Sequence, residues 1–157
     1  MREYSQYSHW MHLALEEARQ TSIDVPVGCI IAGSDHEVIA RAHNERERTN
    51  DPTAHAEILA LREAARHLKS WRLSGCILVT TLEPCAMCAE AIIQARVAIV
   101  VFGAYDARSG ACGSAFNLFL PGRSYPLPEI IGGIEEERCE QLLESFFKNV
   151  VRRSQEE

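Results

Sequence analysis

CILVTTLEPCAMCAEAIIQARVAIVVFG, residues 76–103, reads as strand, helix, strand. Residues 76–82 and 97–103 are short β-branched runs. Between them residues 84–95 carry apolar side chains at helical spacing behind a proline suited to a helix start. Upstream, residues 5–20 form an amphipathic helix with Trp10, Leu13, Ala14 and Ala18 on one side, and residues 25–32 form a buried strand. Gly33-Ser34-Asp35-His36 is a hairpin turn into a strand over 37–42. Asp51-Pro52 is expected to open a helix, Asp as N-cap and Pro at N1, with Ile58, Leu61, Ala65 and Leu68 as its apolar stripe. Downstream, 104–115 is a Gly- and Ser-rich loop, 116–120 a short apolar segment, and Pro121, Pro126 and Pro128 mark a connection to an edge strand over 129–134. A last helix over 135–151 buries Leu142, Leu143, Phe146 and Val150. Strands alternating with helices place this chain in the α/β class, a three-layer αβα sandwich around a central mixed five-stranded sheet.

Composition bounds the function. The 157 residues, 46% of them hydrophobic, suffice for one domain spanning 1–157. Arg2 to His9 lack the apolar core of a secretory leader, and no stretch approaches the ~18 uninterrupted apolar residues of a membrane span, so a cytoplasmic protein with no membrane partner is expected. Six cysteines could pair, but in this setting reduced thiols are the reading: Cys29, Cys76, Cys112 and Cys139 as small buried hydrophobes, Cys85 and Cys88 with a task. A net charge of −6 excludes a globally basic nucleic-acid binder and leaves local clusters, among them Lys148, Arg152 and Arg153.

That task is metal binding. His55, Cys85 and Cys88 supply three ligands suited to one Zn²⁺ per chain, and three protein ligands leave a tetrahedral ion one open position, the mark of a catalytic site. Cys85 and Cys88, three apart at a helix start, project from one face, where the helix dipole favours thiolates. His55 and Glu57 are two apart and do not share a face of a regular helix, so His55 is expected at the lip of its helix. Two thiolates and a neutral imidazole make the site formally neutral, leaving Glu57 free to move protons. The chemistry that fits is hydroxide attack on an sp² carbon followed by protonation of a leaving amine. Half of a zinc ribbon is the structural alternative, and no second ligand pair is present to complete it.

With H-x-E at 55–57 and P-C-x-x-C at 84–88, the chain resembles the zinc-dependent nucleobase deaminases. Within them it is similar to the bacterial-type tRNA adenosine deaminases, through Val25-Pro26-Val27-Gly28, Asn44, residues 51–61 and 81–91, and VVFGAYDARSGACGSAFN at 100–117. The resemblance implies a cytidine deaminase-like fold and conversion of adenosine to inosine at the wobble position of a tRNA anticodon loop. It implies zinc on His55, Cys85 and Cys88, and Glu57 as the catalytic proton shuttle. Asn44 and the backbone of Ala56 would hydrogen-bond a flipped base beside Val27. Asp106 would touch a neighbouring ribose, and Phe147 with the basic residues after it would flank RNA bound to a homodimer. Two departures from the family pattern bear on the RNA footprint: Glu90 where a small residue is usual, and Arg123-Ser124-Tyr125-Pro126-Leu127-Pro128 where Asn-His precedes the last strand. A deaminase of free guanine or cytosine, and a silent RNA-binding subunit, are the alternatives.

Overall fold

A computed structural model describes residues 2–156. The elements are α1 (Arg2–Ala18), β1 (Gly28–Ala32), β2 (Val38–His43), the short α2 (Arg46–Thr49), α3 (Ala56–Leu68), β3 (Ile77–Leu82), α4 (Ala86–Gln94), β4 (Ile99–Ala104), β5 (Glu129–Ile131) and α5 (Glu136–Glu156). The strands lie side by side in the order β2-β1-β3-β4-β5. β1 is antiparallel to β2 and β3, whereas β3, β4 and β5 run parallel, so the five-stranded sheet is mixed as expected. The stretch 76–103 supplies β3, the crossover helix α4 and β4.

Alternation along β1 divides the core in two. Cys29 and Ile31 face α3 and α4, meeting Ala56, Ala60, Ala64 and Ile92. Ile30 and Ala32 face the opposite layer, where Trp10, Met11, Ala14 and Leu15 of α1 and Cys139 of α5 pack. Three layers result, α1 and α5 on one side of the sheet and α3 and α4 on the other. At Gly28 the backbone of α1 comes so close that any Cβ would run into the carbonyl of Ala14. The Gly28 N–H donates instead to Thr81 Oγ1 at 3.1 Å, tying β1 to β3 at the end that bears the site.

Several expectations shift. α3 starts at Ala56, not at Asp51-Pro52. The Asp51 carboxylate accepts from the N–H and hydroxyl of Thr53, at 2.8 and 2.7 Å, closing a local turn instead of capping a helix. The face that α3 buries is Ala56, Glu57, Ala60, Leu61 and Ala64. Ile58 and Ala65 are only half-buried and Leu68 is exposed, so of the expected stripe Leu61 alone is core. The hairpin turn is as read: Gly33 N–H donates to Glu37 O at 2.8 Å, and His36 takes the left-handed φ of 68°. Residues 116–120 form neither strand nor helix, and Phe116 and Leu120 are exposed. β5 is shorter than expected. α5 is longer and packs mainly through its first half, by Cys139, Leu142 and Leu143, leaving Val150 exposed. No helix among the described residues is long and apolar enough to cross a membrane.

Candidate active site

Two helix N-termini converge on the cluster. His55 is the N-cap of α3 and Cys85 the N-cap of α4, both with extended backbone (φ −75°, ψ 148° and φ −72°, ψ 173°). Neither side chain caps its own helix, so imidazole and thiol both remain available to a metal. The extended N-cap also resolves the spacing problem, because His55 lies outside the helical geometry that would turn it away from Glu57. Pro84 precedes the Cys85 cap and so lies two positions before N1, outside the helix start expected of it.

His55 Nδ1 lies 3.4 Å from Cys88 Sγ and 3.6 Å from Cys85 Sγ, and all three donor atoms fall within 4.8 Å of one another. Ordinary Zn–N and Zn–S bonds at tetrahedral angles place nitrogen and sulfur about 3.6 Å apart, so the donors already fit zinc. Interaction with Cys88 holds the Cys85 pKa down, to about 4, and interaction with Cys85 together with burial pushes that of Cys88 up. Zinc takes both sulfurs as thiolates, so metal binding is coupled to proton release.

Glu57 is buried, 4% exposed, with Oε2 3.6 Å from Cys88 Sγ and Oε1 3.4 Å from the Thr80 hydroxyl. Burial raises its pKa above the ordinary carboxylate value. A carboxyl group tuned upward beside a metal site is suited to accepting a proton and giving it back.

The other expected residues fall in three places. Asn44 sits beside the cluster, its Oδ1 accepting from Ala56 N–H at 2.8 Å and its Nδ2 donating to Val25 O at 3.0 Å. Asn44 and the Ala56 N–H thus bond each other, while the amide keeps one lone pair and one N–H for another partner. Val27 is buried just before β1, and its carbonyl accepts from Asn44 N–H at 3.1 Å. Asp106 opens the loop after β4, its carboxylate accepting from the N–H groups of Arg108 and Ser109. Phe147 is on α5 in the opposite layer, 51% exposed and edge-on to Phe146.

Glu83 is the residue that sequence reasoning missed. It is buried, and its carboxylate accepts three backbone N–H groups, from Asp106 at 2.9 Å, Cys112 at 3.1 Å and Ser114 at 3.2 Å. Gly110 packs against that carboxylate so closely that a Cβ would overlap it, and Ala111 N–H donates to Pro84 O at 2.8 Å. The loop is therefore drawn down onto the entry to α4. Its partners are backbone groups of an irregular segment, so only the place of Glu83 directly before Pro84-Cys85 could have marked it.

Residues 4–104 match the cytidine and deoxycytidylate deaminase zinc-binding region. The chain belongs to that zinc-dependent deaminase family. Over 143 residues the deaminase is 41% identical to the tRNA-specific adenosine deaminase of Bacillus subtilis, covering 90% of this chain and 88% of that one. It superposes with a TM-score of 0.81 and 39% identity on a structure from studies of A-to-I editing by tRNA deaminases at the wobble position, covering 86% of this chain and 99% of the other. A guanine deaminase from Bacillus subtilis is more distant, with a TM-score of 0.61 and 32% identity over 76% of this chain and 81% of that one. The zinc requirement of the family falls on His55, Cys85 and Cys88, the cluster described above.

Proposed function

We propose that this deaminase converts adenosine to inosine at the wobble position of a tRNA anticodon loop, residues 1–157 acting as one catalytic unit. The observation that carries the reading is likeness along nearly the whole chain to tRNA-specific adenosine deaminases, closer in both identity and fold than to the guanine deaminase. Zinc held by His55, Cys85 and Cys88 supplies Lewis acidity that lowers the pKa of water. As hydroxide adds to C6 of adenine and the C6–N6 bond breaks to release ammonia, Glu57 would carry the water's proton to the leaving amine, a role its burial and raised pKa support. Asn44, with its two free hydrogen-bonding valences, reads the flipped base against Val27 beside the Ala56 backbone. Asp106 meets a neighbouring ribose. Phe147, Lys148, Arg152 and Arg153 flank the RNA from the exposed end of α5.

The same reading makes the protein a homodimer and places it in the cytoplasm, where its six free cysteines stay reduced. The half-buried side of α3 supports the dimer. Ile58, Leu61 and Ala65 join Trp71, Ala91 and Ala95 around an apolar groove of about 560 Å³ between α3 and α4, with Trp71 60% exposed at one end. A self-complementary apolar patch is what a two-fold interface uses. Trp71→Glu should weaken the dimer about tenfold or more in sedimentation equilibrium, as expected for loss of an aromatic anchor; an unchanged association constant would move the interface elsewhere.

The activity is tested by incubating the protein with an anticodon stem-loop bearing wobble adenosine, beside free adenine, guanine and cytosine. Inosine in the loop, abolished by Glu57→Gln, is the expected result. Ammonia released from a free base alone would transfer the chain to the free-base deaminases.

A further inference from the structure

The zinc cysteines are bracketed by two carboxylates, Glu83 two residues before Cys85 and Glu90 two residues after Cys88. Both reach to the same irregular stretch, the chain between β4 and β5. Glu83 holds its inner half, through the three N–H groups at Asp106, Cys112 and Ser114. Glu90 holds its outer half. Arg123 forks onto it with Nη1 2.9 Å from Oε1 and Nη2 2.6 Å from Oε2, while Gln94 Nε2 also donates to Oε1 at 2.8 Å. Arg123 Nη1 donates further to Tyr125 Oη at 3.1 Å, and the Arg96 guanidinium stacks 3.5 Å above the Tyr125 ring. Arg96 is itself fixed, with φ of 63° and Nη1 donating to Ile93 O and Gln94 O just past the end of α4. The outer half is thus fastened to α4 at Glu90 and again at Arg96.

This network joins the two departures from the family pattern noted in the sequence. Glu90 and the 123–128 segment, the two places where the resemblance leads one to expect other residues, are bonded to each other. An acid facing RNA would repel phosphate, but Arg123 cancels its charge and Arg96 leaves the cluster cationic. A bidentate guanidinium–carboxylate pair gives orientation as well as attraction, which a long connection without helix or strand needs if it is to present one surface. The inner half of that connection lies on Pro84 and Cys85, at the mouth of the site.

We propose that Glu90, Arg123, Tyr125 and Arg96 form a clamp that positions the outer half of the 105–128 segment for capture of the polynucleotide substrate and takes no part in the deamination step. The proposal rests on the reading of the chain as a tRNA deaminase. All four are positioning residues, and none belongs to the zinc site.

The test compares Arg123→Met, Glu90→Gln and the exchanged pair, Glu90→Arg with Arg123→Glu. Each single variant should raise KM for the anticodon stem-loop about fivefold with kcat within about twofold, and the exchanged pair should recover most of the loss, the pattern of a lost bidentate contact that acts on binding alone. Zinc content should stay the same throughout. An unchanged KM, a parallel fall in kcat, or no recovery in the exchanged pair overturns the clamp. Should the unsubstituted protein leave the stem-loop untouched, the tRNA reading falls and amide hydrogen exchange decides the clamp. Faster exchange over 118–128 in Arg123→Met, reversed in the exchanged pair, retains it, and equal exchange removes it.

Discussion

The zinc corner and the 105–128 segment meet at Cys85 and are held by different means. In the corner, backbone sets geometry: two helix starts with extended N-caps bring His55 and Cys85 together, with Glu57 and Cys88 in the first turn of each helix. Along the segment, side chains set geometry. Carboxylates at Glu83 and Glu90 gather a chain that has no helix or strand of its own. A cap position is fixed by the helix behind it and by the core beneath, so the chemistry rests on packed secondary structure. The segment depends on a few hydrogen bonds worth about 1 kcal/mol each, apart from any charge, and substrate selection is therefore the more easily altered property.

Three substitutions probe that contrast, in falling order of effect. Glu57→Gln removes the proton carrier while keeping shape, and kcat should fall by about 10²–10⁴-fold with zinc content unchanged; a loss below tenfold would give the proton to another group. Gly110→Ala forces a methyl group onto the Glu83 carboxylate and the Asp106 carbonyl, both of which are bonded in place. Overpacking of this kind costs about 1–3 kcal/mol, and the cost should appear as a raised KM for the stem-loop with zinc still bound. Loss of zinc instead would mean that the corner and the segment are not mechanically separate.

The smallest effect belongs to Glu135, remote from both regions, and it calibrates a purely structural change. Its carboxylate accepts from the Ser8 hydroxyl at 2.5 Å, faces His12 at 3.5 Å and Arg138 at 3.3 Å, and has its pKa lowered, chiefly by the Ser8 bond. A depressed carboxyl pKa stabilises the fold above the unfolded value, and the gain disappears as pH falls through the folded value. Glu135→Gln should thus lower stability on the order of 1 kcal/mol at neutral pH. In urea unfolding at pH values below the folded pKa, the two proteins should converge. A difference that persists in acid would assign the effect to packing.

The zinc corner was legible in the sequence because its ligands are rare residue types at short fixed spacings, and the lip position of His55 followed from the i, i+2 conflict. The start of α3 was misread because Asp-Pro signals both a helix cap and an Asx-type turn, and only Thr53, bonding back to Asp51, decides between them. The buried side of α3 was misread for a different reason. Helical spacing alone picks out Ile58, Leu61, Ala65 and Leu68, whereas the sheet is met by Ala56, Ala60 and Ala64 and the flanking Ile58 and Ala65 border the groove. Glu83 and the Glu90–Arg123 pair stayed hidden because their partners lie 23 to 33 residues away in a segment without periodicity.

Those three alanines also act as a spacer. With methyl side chains at these three of its five buried positions, α3 packs closely on the strands, and His55 rides at its tip. A bulkier residue at Ala60 would lift that tip as a shim lifts a hinge, widening the gap to Cys85 and Cys88 while leaving every ligand in the chain. The bite of the metal site is thus set by residues that never touch it.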